Sequence, residues 1–327
     1  MTEPGRLDST VTVVTRNRAH VLGHCLHALA QQSLDPARYE IVIVDDGSTD
    51  ETPAVIAAAQ REARCEVRAF RFPEHRGVSA ARNLSIREAR GTVIVFVDSD
   101  GFVPPSFLST HLAAHRESHR HVICRGPIIA TDSLHHPFAA RWSLLDLNTS
   151  FFDTSNASVR REDLLRAGLF DETLFHWEGI DVGLRLRRLG LRRVYRGNAP
   201  LYHYQVPATA ERLEGWLEKE EDRARSARRF LARHPTFEAR LITSQTPLHR
   251  WLNGLQRGFG VVHAGNLPAW VERCRRWRIP ALGRVLVGGV LTERYLSHLQ
   301  LLQRATPSQA PARLTPDGAQ RQHDGEG

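Results

Sequence analysis

Two aspartates separated by one residue, Asp98 and Asp100, follow directly after the apolar run VIVFV at 93–97. Carboxylates this close at the end of a buried strand repel each other and lose hydration, and a divalent cation relieves both costs. Mg²⁺ and Mn²⁺ accept few carboxylates and fill their remaining positions with phosphate oxygens and water. The Asp-Ser-Asp pattern therefore predicts a metal site that bridges to a diphosphate.

A second acidic pair, Glu178 and Asp181, lies in the stretch FHWEGIDVGLRLRR at 175–188. The spacing predicts a helix in which Asp181 pairs with Arg185 four residues on. An arginine partner stabilises a charged carboxylate and makes it a poorer base. We therefore predict Glu178, beside the apolar wall of Trp177, as the general base and Asp181 as an acceptor-binding or structural acid. The alternative is that both acids only stabilise the start of a helix.

Short apolar runs alternate with helical patterns through the first half of the chain. Strands are predicted at 10–15, 40–44, 65–70 and 92–97, and helices at 21–32, 51–63 and 78–89. Strands that are apolar on both faces and separated by helices predict a parallel sheet buried between helix layers. The polar clusters RNR, DDGSTD and DSDG follow three of these strands, at the sheet edge where ligands bind in such folds.

The character of the chain changes after residue 205. We predict an α/β domain that carries the acidic motifs over 1–205, a helical extension over 206–304, and a disordered polar tail over 305–327. The extension mixes aromatic and basic side chains, as interfacial helices do. These residues are Trp270, Trp277, Arg273, Arg275, Arg276 and Arg278. They predict peripheral membrane contact, with a packed helical subdomain or a homodimer contact as the alternatives.

The bulk composition narrows the class of partner. The 327 residues carry a formal net charge of +8, which favours anionic partners. We find no nucleic-acid-binding motif, so nucleic acid is not an expected partner. No apolar run reaches the roughly 18 residues of a membrane span. The scattered cysteines and the polar N-terminal stretch predict a cytoplasmic protein, with peripheral contact at the inner face of the plasma membrane.

Taken together, these motifs resemble those of the family 2 glycosyltransferases of the GT-A fold. The matching stretches are VVTRNRAHVLGHCLHAL (13–29), YEIVIVDDGSTDET (39–52), RGVSAARNLSIREARGTVIVFVDSD (76–100), NASVRREDLLRAGLFDE (156–172) and WEGIDVGLRLRRLG (177–190). The resemblance implies an α/β fold with a Rossmann-like, mostly parallel sheet sandwiched by helices and a C-terminal helical extension. It also implies inverting, metal-dependent transfer of a sugar from a nucleotide-diphosphate sugar, UDP-linked by expectation, with 1–205 as the nucleotide-sugar and acceptor-binding catalytic domain. The acceptor would be a saccharide or a lipid-linked molecule in cell-surface polysaccharide or glycoconjugate synthesis.

The resemblance also implies roles for individual residues on the donor side. Thr15 and Asn17 would lie beside the nucleoside, Asp46 with Asp45 would hydrogen-bond the base, and Arg82 would face the nucleotide or its phosphates. Asp98 would lie near the ribose and the metal, Asp100 would coordinate Mn²⁺ or Mg²⁺, and His203 would complete the metal shell. Asn156 would belong to a loop facing the donor, and Trp177 would stack on the acceptor. Structural roles remain the alternatives for His203, Asn156 and Trp177.

One position departs from the family pattern. Most members carry a Glu-Asp pair at the start of the 178–188 helix, with the aspartate as base, whereas this chain has Gly179 there. The base could be Glu178 or Asp181, or the protein could bind the donor sugar without transferring it efficiently. A nucleotide-sugar-binding pseudoenzyme is therefore an alternative function. A sugar nucleotidyltransferase is a further alternative, although the first strand is followed by no lysine.

Overall fold

The computed structural model describes residues 7–142, 146, 150–205 and 213–304. The chain divides into two compact units. The first comprises Met1–Thr173 and Glu178–Pro207, and the second comprises Leu174–Trp177 and Ala208–Gly327. The tail predicted to be disordered, 305–327, lies outside the described residues.

The first unit contains the strands of the chain and six helices among its described residues. The strands are β1 (Ser9–Thr15), β2 (Tyr39–Asp45), β3 (Glu66–Arg71), β4 (Val93–Val97), β5 (Gly101–Phe102), β6 (Val122–Arg125), β7 (Ile128–Thr131), β8 (Asn156–Arg160), β9 (Arg192–Tyr195) and β10 (Leu201–Tyr204). The helices are α1 (Ala19–Ala30), α2 (Thr52–Glu62), α3 (Val78–Glu88), α4 (Phe107–Glu117), α5 (Arg161–Arg166) and α6 (Glu178–Arg188). Every strand and helix predicted up to residue 97 is present, with ends shifted by at most two residues.

The main sheet of the described residues has the strand order β3-β2-β1-β4-β8-β6-β9. Strands β1 to β4 run parallel to one another, whereas β8 is antiparallel to both β4 and β6. A smaller sheet, β5-β10-β7, begins immediately after the Asp-Ser-Asp motif. The mostly parallel sheet predicted from the sequence is confirmed, and the carboxyl ends of β1, β2 and β4 lie along the same edge.

Both faces of the main sheet are buried, as its apolar strands require. Alternate residues of β4 belong to different hydrophobic clusters. Val93 and Val95 pack with β1, β2 and α1, whereas Ile94 and Phe96 pack with β8, α3 and α6. This double burial fixes the end of β4, and therefore the position of the two aspartates that follow it.

The second unit is helical over its described residues. Its helices are α7 (Leu213–Arg233), α8 (Phe237–Ile242), α9 (Pro247–Gln256), α10 (Leu267–Arg276) and α11 (Pro280–Arg304). It has a core of its own, in which Val262, Leu267, Cys274, Leu286 and Val290 are buried together. None of the described helices combines the length and the apolar character that spanning a membrane would need.

Candidate active site

The Asp-Ser-Asp motif meets a histidine from a distant part of the chain. Strand β5 starts at Gly101 and pairs with β10, where His203 is the partner of Gly101. This pairing brings His203 Nε2 to 3.1 Å from Asp100 Oδ1 and 3.7 Å from Asp98 Oδ2. One ligand atom from each of the three residues lies within 4.8 Å of the others. Two carboxylates and one imidazole form a donor set that suits Mn²⁺ or Mg²⁺.

The charges of this group stabilise one another. Burial by itself would lower the pKa of His203, but Asp100 and Asp98 outweigh burial and raise that pKa to about 10. Burial would likewise raise the pKa of Asp98, but His203, Arg82 and Ser155 hold it well below its ordinary value. Asp98 is thus kept in its charged form, the form that binds a metal, by His203, Arg82 and Ser155.

Arg82 connects the metal-binding group to the acidic helix start. Its guanidinium donates from Nη1 to Glu178 Oε1 at 2.9 Å, and Nη2 lies 3.7 Å from Asp98 Oδ1. The same group lies over the Phe170 ring, 5.5 Å from the centroid. Because Arg82 is buried, its planar, permanently charged group holds a fixed place between the two carboxylates. The structure therefore joins Asp100, His203, Asp98, Arg82 and Glu178 into one connected set.

Two further members of the set were not predicted from the sequence. Ser155 Oγ donates to Asp98 Oδ2 at 2.5 Å, and Arg18 Nη2 lies 3.7 Å from Asp100 Oδ2. Ser155 directly precedes the NASVRRE stretch, and Arg18 lies one residue beyond Asn17. Both residues are therefore close in sequence to predicted site residues. Their sequence positions do not indicate that their side chains contact Asp98 and Asp100.

Asp46 organises the start of the helix that carries Arg82. Its carboxylate accepts hydrogen bonds from the backbone N–H groups of Arg76 and Gly77, at 2.7 and 2.9 Å, and contacts His75 Nδ1 at 2.7 Å. Gly47 has a φ of +75°, and a Cβ there would lie 2.8 Å from the backbone of Glu74. The two loops therefore meet backbone to backbone, and Asp46 fastens them together.

Asp45, Thr15 and Asn17 lie at the same edge of the sheet. Asp45 is buried, accepts from the backbone N–H of Ser48 at 2.9 Å, and lies 3.4 Å from Arg71 Nε. Asn17, with a φ of +50°, accepts from the backbone N–H of Thr49 at 2.8 Å. Thr15 is buried at the end of β1, where it pairs in register with Asp45. The structure thus brings together the residues predicted to bind the nucleoside. In the structure, the side chains of Asp45 and Asn17 accept hydrogen bonds from the backbone of the loop after β2.

Asn156 does not face the site, and the donor-facing prediction for its side chain is wrong. The side chain is fully buried, and its Nδ2 donates to the carbonyl oxygens of Pro127 and Ala199, both at 2.9 Å. Its Oδ1 contacts His111 Nε2 at 3.1 Å. All of these contacts lie inside the fold, so the structural alternative describes Asn156.

The two acids of α6 differ in burial rather than in having an arginine partner. Asp181 is fully buried and pairs with Arg185, which donates to Asp181 Oδ2 at 2.6 Å and also to the carbonyl oxygen of Leu169. Glu178 also has an arginine partner, Arg82, but keeps 15% of its side chain exposed. The Asp181–Arg185 pair predicted from spacing is confirmed. The Arg82 partner of Glu178 was missed because 96 residues separate the two.

Trp177 lies in the core of the helical unit. Its indole N–H donates to the carbonyl oxygen of Arg223 at 3.1 Å, and its ring packs against Phe230 and Tyr295 with centroids 6.0 and 6.2 Å away. The Arg223 guanidinium lies over the same ring at 4.9 Å. These contacts occupy the ring that was predicted to stack on an acceptor sugar, so the core alternative fits its packing.

Comparison with known proteins agrees with this geometry. Residues 10–166 match the family model described as Glycosyl transferase family 2. Validoxylamine A glucosyltransferase of Streptomyces hygroscopicus subsp. limoneus is 26% identical over 283 residues, covering 72% of this chain. The chain spans 59% of that relative's length, which is less than two thirds.

Two solved structures share the fold. The mannosyltransferase PcManGT from Pyrobaculum calidifontis, in complex with GDP-Man and Mn²⁺, aligns with a TM-score of 0.57 at 18% identity over 89% of this chain and 87% of that one. S. aureus TarS 1-349 in complex with UDP-GlcNAc aligns with a TM-score of 0.53 at 16% identity over 91% of this chain and 92% of that one.

The sheet order and these structural likenesses define the GT-A fold of the glycosyltransferases. Residues 10–166 of the chain are similar to glycosyl transferase family 2, as the match to its family model shows.

Proposed function

We propose that the protein is a metal-dependent, inverting glycosyltransferase. It moves a sugar from a nucleotide-diphosphate sugar to the hydroxyl of a saccharide or lipid-linked acceptor, in cell-surface polysaccharide or glycoconjugate synthesis. The observation that carries this proposal is the continuous set in which Arg82 lies between the metal-capable Asp98 and the acid Glu178. Such a set provides charge for a leaving diphosphate and a proton acceptor for an attacking hydroxyl.

Asp98, Asp100 and His203 would hold a divalent cation. Their two carboxylates and one imidazole fit Mg²⁺ or Mn²⁺, with positions left for phosphate oxygens. When bound, such a cation neutralises charge that develops on a diphosphate as it leaves. Ser155 would hold the orientation of Asp98 through its hydrogen bond, in the way that outer hydrogen bonds orient metal ligands.

In the proposed reaction, the acceptor oxygen forms a bond to the anomeric carbon while the bond from that carbon to the diphosphate breaks. Glu178 accepts the proton of the acceptor hydroxyl, and the leaving diphosphate takes the bonding electron pair. Arg82 donates hydrogen bonds and positive charge beside the leaving group, the kind of preorganised stabilisation that contributes most to many enzymes. Attack opposite the leaving group inverts the anomeric centre.

Nucleoside binding by Thr15, Asn17, Asp45 and Asp46 is part of the same proposal. The support is their position at the carboxyl ends of β1 and β2, where ligands bind in open α/β sheets. Solved relatives of the fold were crystallised with UDP-GlcNAc and with GDP-Man. Both ligands are nucleotide sugars, and we propose a UDP-linked sugar as the donor to test first.

Replacing Asp100 with alanine tests the metal assignment. We expect wild-type protein to release nucleoside diphosphate from a nucleotide sugar only with Mn²⁺ or Mg²⁺, and Asp100→Ala to lose this activity by at least about a hundredfold. Glu62→Ala, which removes an exposed acid at the end of α2, is the control and should keep wild-type activity. Full activity of Asp100→Ala would refute the metal site. Mn²⁺-dependent donor binding by the wild-type protein without turnover would favour the alternative of a nucleotide-sugar-binding pseudoenzyme.

A further inference from the structure

Helix α9 turns its apolar side toward solvent. Its large apolar residues, Leu248, Trp251, Leu252 and Leu255, follow the spacing of a single helix stripe. Leu248 is 61% exposed, Trp251 55%, and Leu255 54%. A surface helix of a globular protein normally buries such a stripe against the core. Helix α9 instead exposes its apolar side to solvent.

The polar side of α9 is the one that packs inward. Asn253 is buried and donates to the carbonyl oxygen of Gly289 on α11 at 2.7 Å. Arg257, directly after the helix, pairs with Glu293 of α11 at 2.8 Å. Thr246 caps the helix by accepting a hydrogen bond from the backbone N–H of His249. These polar contacts to the rest of the unit fix the orientation in which the apolar stripe stays outside.

The apolar surface continues beyond the helix. In the turn that follows, Phe259 is 69% exposed and Val261 60% exposed. Phe259 has a φ of +51°, in the left-handed region that a bulky residue rarely adopts, and its ring is presented to solvent rather than buried. We call the stripe of α9 together with Phe259 and Val261 the α9 surface.

The chain around the α9 surface is strongly basic. Residues 239–292 contain eight arginines, no lysine and one acid, Glu272. The acids of the helical unit are concentrated on α7, where arginines pair with them: Glu220 with Arg223, Asp222 with Arg225, and Glu221 with Arg294. Among the eight arginines, Arg257 pairs with Glu293 just beyond this stretch, and Arg275 and Arg276 lie near Glu272. Eight arginines against one acid still leave 239–292 with a net positive charge.

We propose that the α9 surface lies on an anionic lipid membrane, with its apolar side chains at the acyl boundary and the surrounding arginines at the headgroups. An exposed apolar stripe with tryptophan, in a basic setting, is the combination that such binding uses. This inference goes beyond sugar transfer and does not depend on the proposed reaction. It identifies a part of the protein that the sequence patterns did not single out.

Other occupants fit the α9 surface less well. A second copy of the chain would bring two arginine-rich faces together and would be opposed by like charge. The segment 305–327 has only one large apolar side chain, Leu314, and cannot cover the stripe. An anionic membrane satisfies both the apolar side chains and the charge.

This surface differs from the one predicted from the sequence. Trp270 packs against the core of the helical unit, with the Arg273 guanidinium 5.1 Å from its ring centroid, so its ring is not available as predicted. The other members of the predicted set, Arg273, Arg275, Arg276, Trp277 and Arg278, are exposed. The α9 surface is thus an additional exposed apolar surface of the described helical unit, which the sequence patterns did not indicate.

The test is co-sedimentation of the full chain with vesicles. We use phosphatidylcholine vesicles and vesicles that contain an added share of phosphatidylglycerol, and we compare Leu255→Ser with Leu301→Ser. Leu301 is an equally exposed leucine on α11, so both variants should fold and both lose one exposed leucine. We expect the wild-type protein to bind the vesicles that contain phosphatidylglycerol and not those of phosphatidylcholine alone. Leu255→Ser should weaken this binding about fivefold, and the double variant Trp251→Ser with Leu255→Ser should weaken it further. Leu301→Ser should leave it unchanged.

Three results would overturn the proposal. The first is no binding to anionic vesicles, and the second is equal loss in Leu255→Ser and Leu301→Ser. The third is a dimer, seen by light scattering without vesicles, that Leu255→Ser converts to a monomer, because the α9 surface would then be a contact between copies. None of these measurements uses turnover, so failure here leaves the proposed reaction standing, and loss of activity in Asp100→Ala leaves membrane binding standing.

Discussion

At the scale of single residues, burial separates two carboxylates that their sequence context makes alike. Glu178 and Asp181 share one helix and each has an arginine partner. Asp181 is fully buried and paired with Arg185. Glu178 remains partly exposed and is joined through Arg82 to the metal-capable residues. This difference in accessibility favours Glu178 over Asp181 as the proposed base.

Amide substitution of each acid should give opposite outcomes. Glu178→Gln should keep its fold and its donor binding but lose turnover by about 10²-fold or more, because it no longer accepts a proton. Asp181→Asn should lose on the order of 3–5 kcal/mol of unfolding free energy, because it leaves the largely buried Arg185 guanidinium without its carboxylate partner. Urea unfolding and a turnover assay on the same preparations measure both. An Asp181→Asn variant with normal stability and no turnover would reverse the two roles.

Gly179 permits a direct test of the family's usual arrangement. A Cβ at this position would meet only the Thr154 methyl group, at 3.8 Å, which is an ordinary contact. We therefore expect Gly179→Asp to fold with near-normal stability by urea unfolding, and the double variant Glu178→Gln with Gly179→Asp to regain part of the turnover lost by Glu178→Gln alone. No recovery in a stably folded double variant would show that this backbone does not present residue 179 to the acceptor.

At the scale of elements, strand β8 carries a buried polar network that supports the site from behind. Ser158 Oγ lies 2.9 Å from both His111 Nδ1 and His115 Nε2, and His111 also contacts Asn156. One residue before β8, Ser155 holds Asp98. The strand that positions Ser155 therefore depends on two histidines of α4 that are buried without charge.

This network predicts sensitivity to acid. Burial lowers the pKa of His111 from 6.5 to about 4 and that of His115, to which neighbouring His111 and Arg160 also contribute, from 6.5 to about 3. Below pH 6.5 the unfolded chain binds protons that the folded protein does not, so stability present above pH 6.5 is lost as pH falls toward 4 and 3. Between pH 7 and pH 4, His115→Gln should make the decrease in unfolding free energy smaller by on the order of 1–2 kcal/mol, as measured by urea unfolding.

The exposed His119, on the loop after α4, supplies the control for the acid experiment. His119→Gln should leave the pH dependence of unfolding as it is in the wild type, because His119 is exposed and lies outside the buried network of His111, His115 and Ser158. Equal slopes for His115→Gln and His119→Gln would contradict the assignment of the acid sensitivity to the buried network.

At the scale of the whole molecule, ligand binding to the first unit should be measurable as stability. A nucleotide diphosphate present at a hundred times its Kd adds about 2.7 kcal/mol to the folded state by mass action. We expect a thermal-shift screen with Mn²⁺ to show a higher Tm with one nucleotide diphosphate and its sugars, and Asp100→Ala to lose the part that depends on Mn²⁺. Equal shifts for all nucleotides, or a shift unaffected by Asp100→Ala, would count against the proposed donor site.

The sequence by itself determined the elements and the positions of the chemistry. Apolar runs such as VIVFV specify buried parallel strands, because residues on both faces must leave water, and the polar residues that follow them necessarily meet at one sheet edge. Asp98, Asp100 and Glu178 were named from such local patterns and Arg82 from the family resemblance, and a spacing of four residues was enough to pair Asp181 with Arg185.

Only the tertiary structure decided which of these residues face one another. The Arg82–Glu178 and Ser155–Asp98 contacts join residues 96 and 57 positions apart, and no local pattern encodes such distances. Asn156 and Trp177 resemble ligand-binding residues in sequence, yet packing encloses both. Helix α9 has the sequence of an ordinary core-facing helix, and its exposed stripe is set by the inward hydrogen bond of Asn253. Which side chains are accessible depends on contacts between elements that are distant in sequence, so the tertiary structure was needed to determine it.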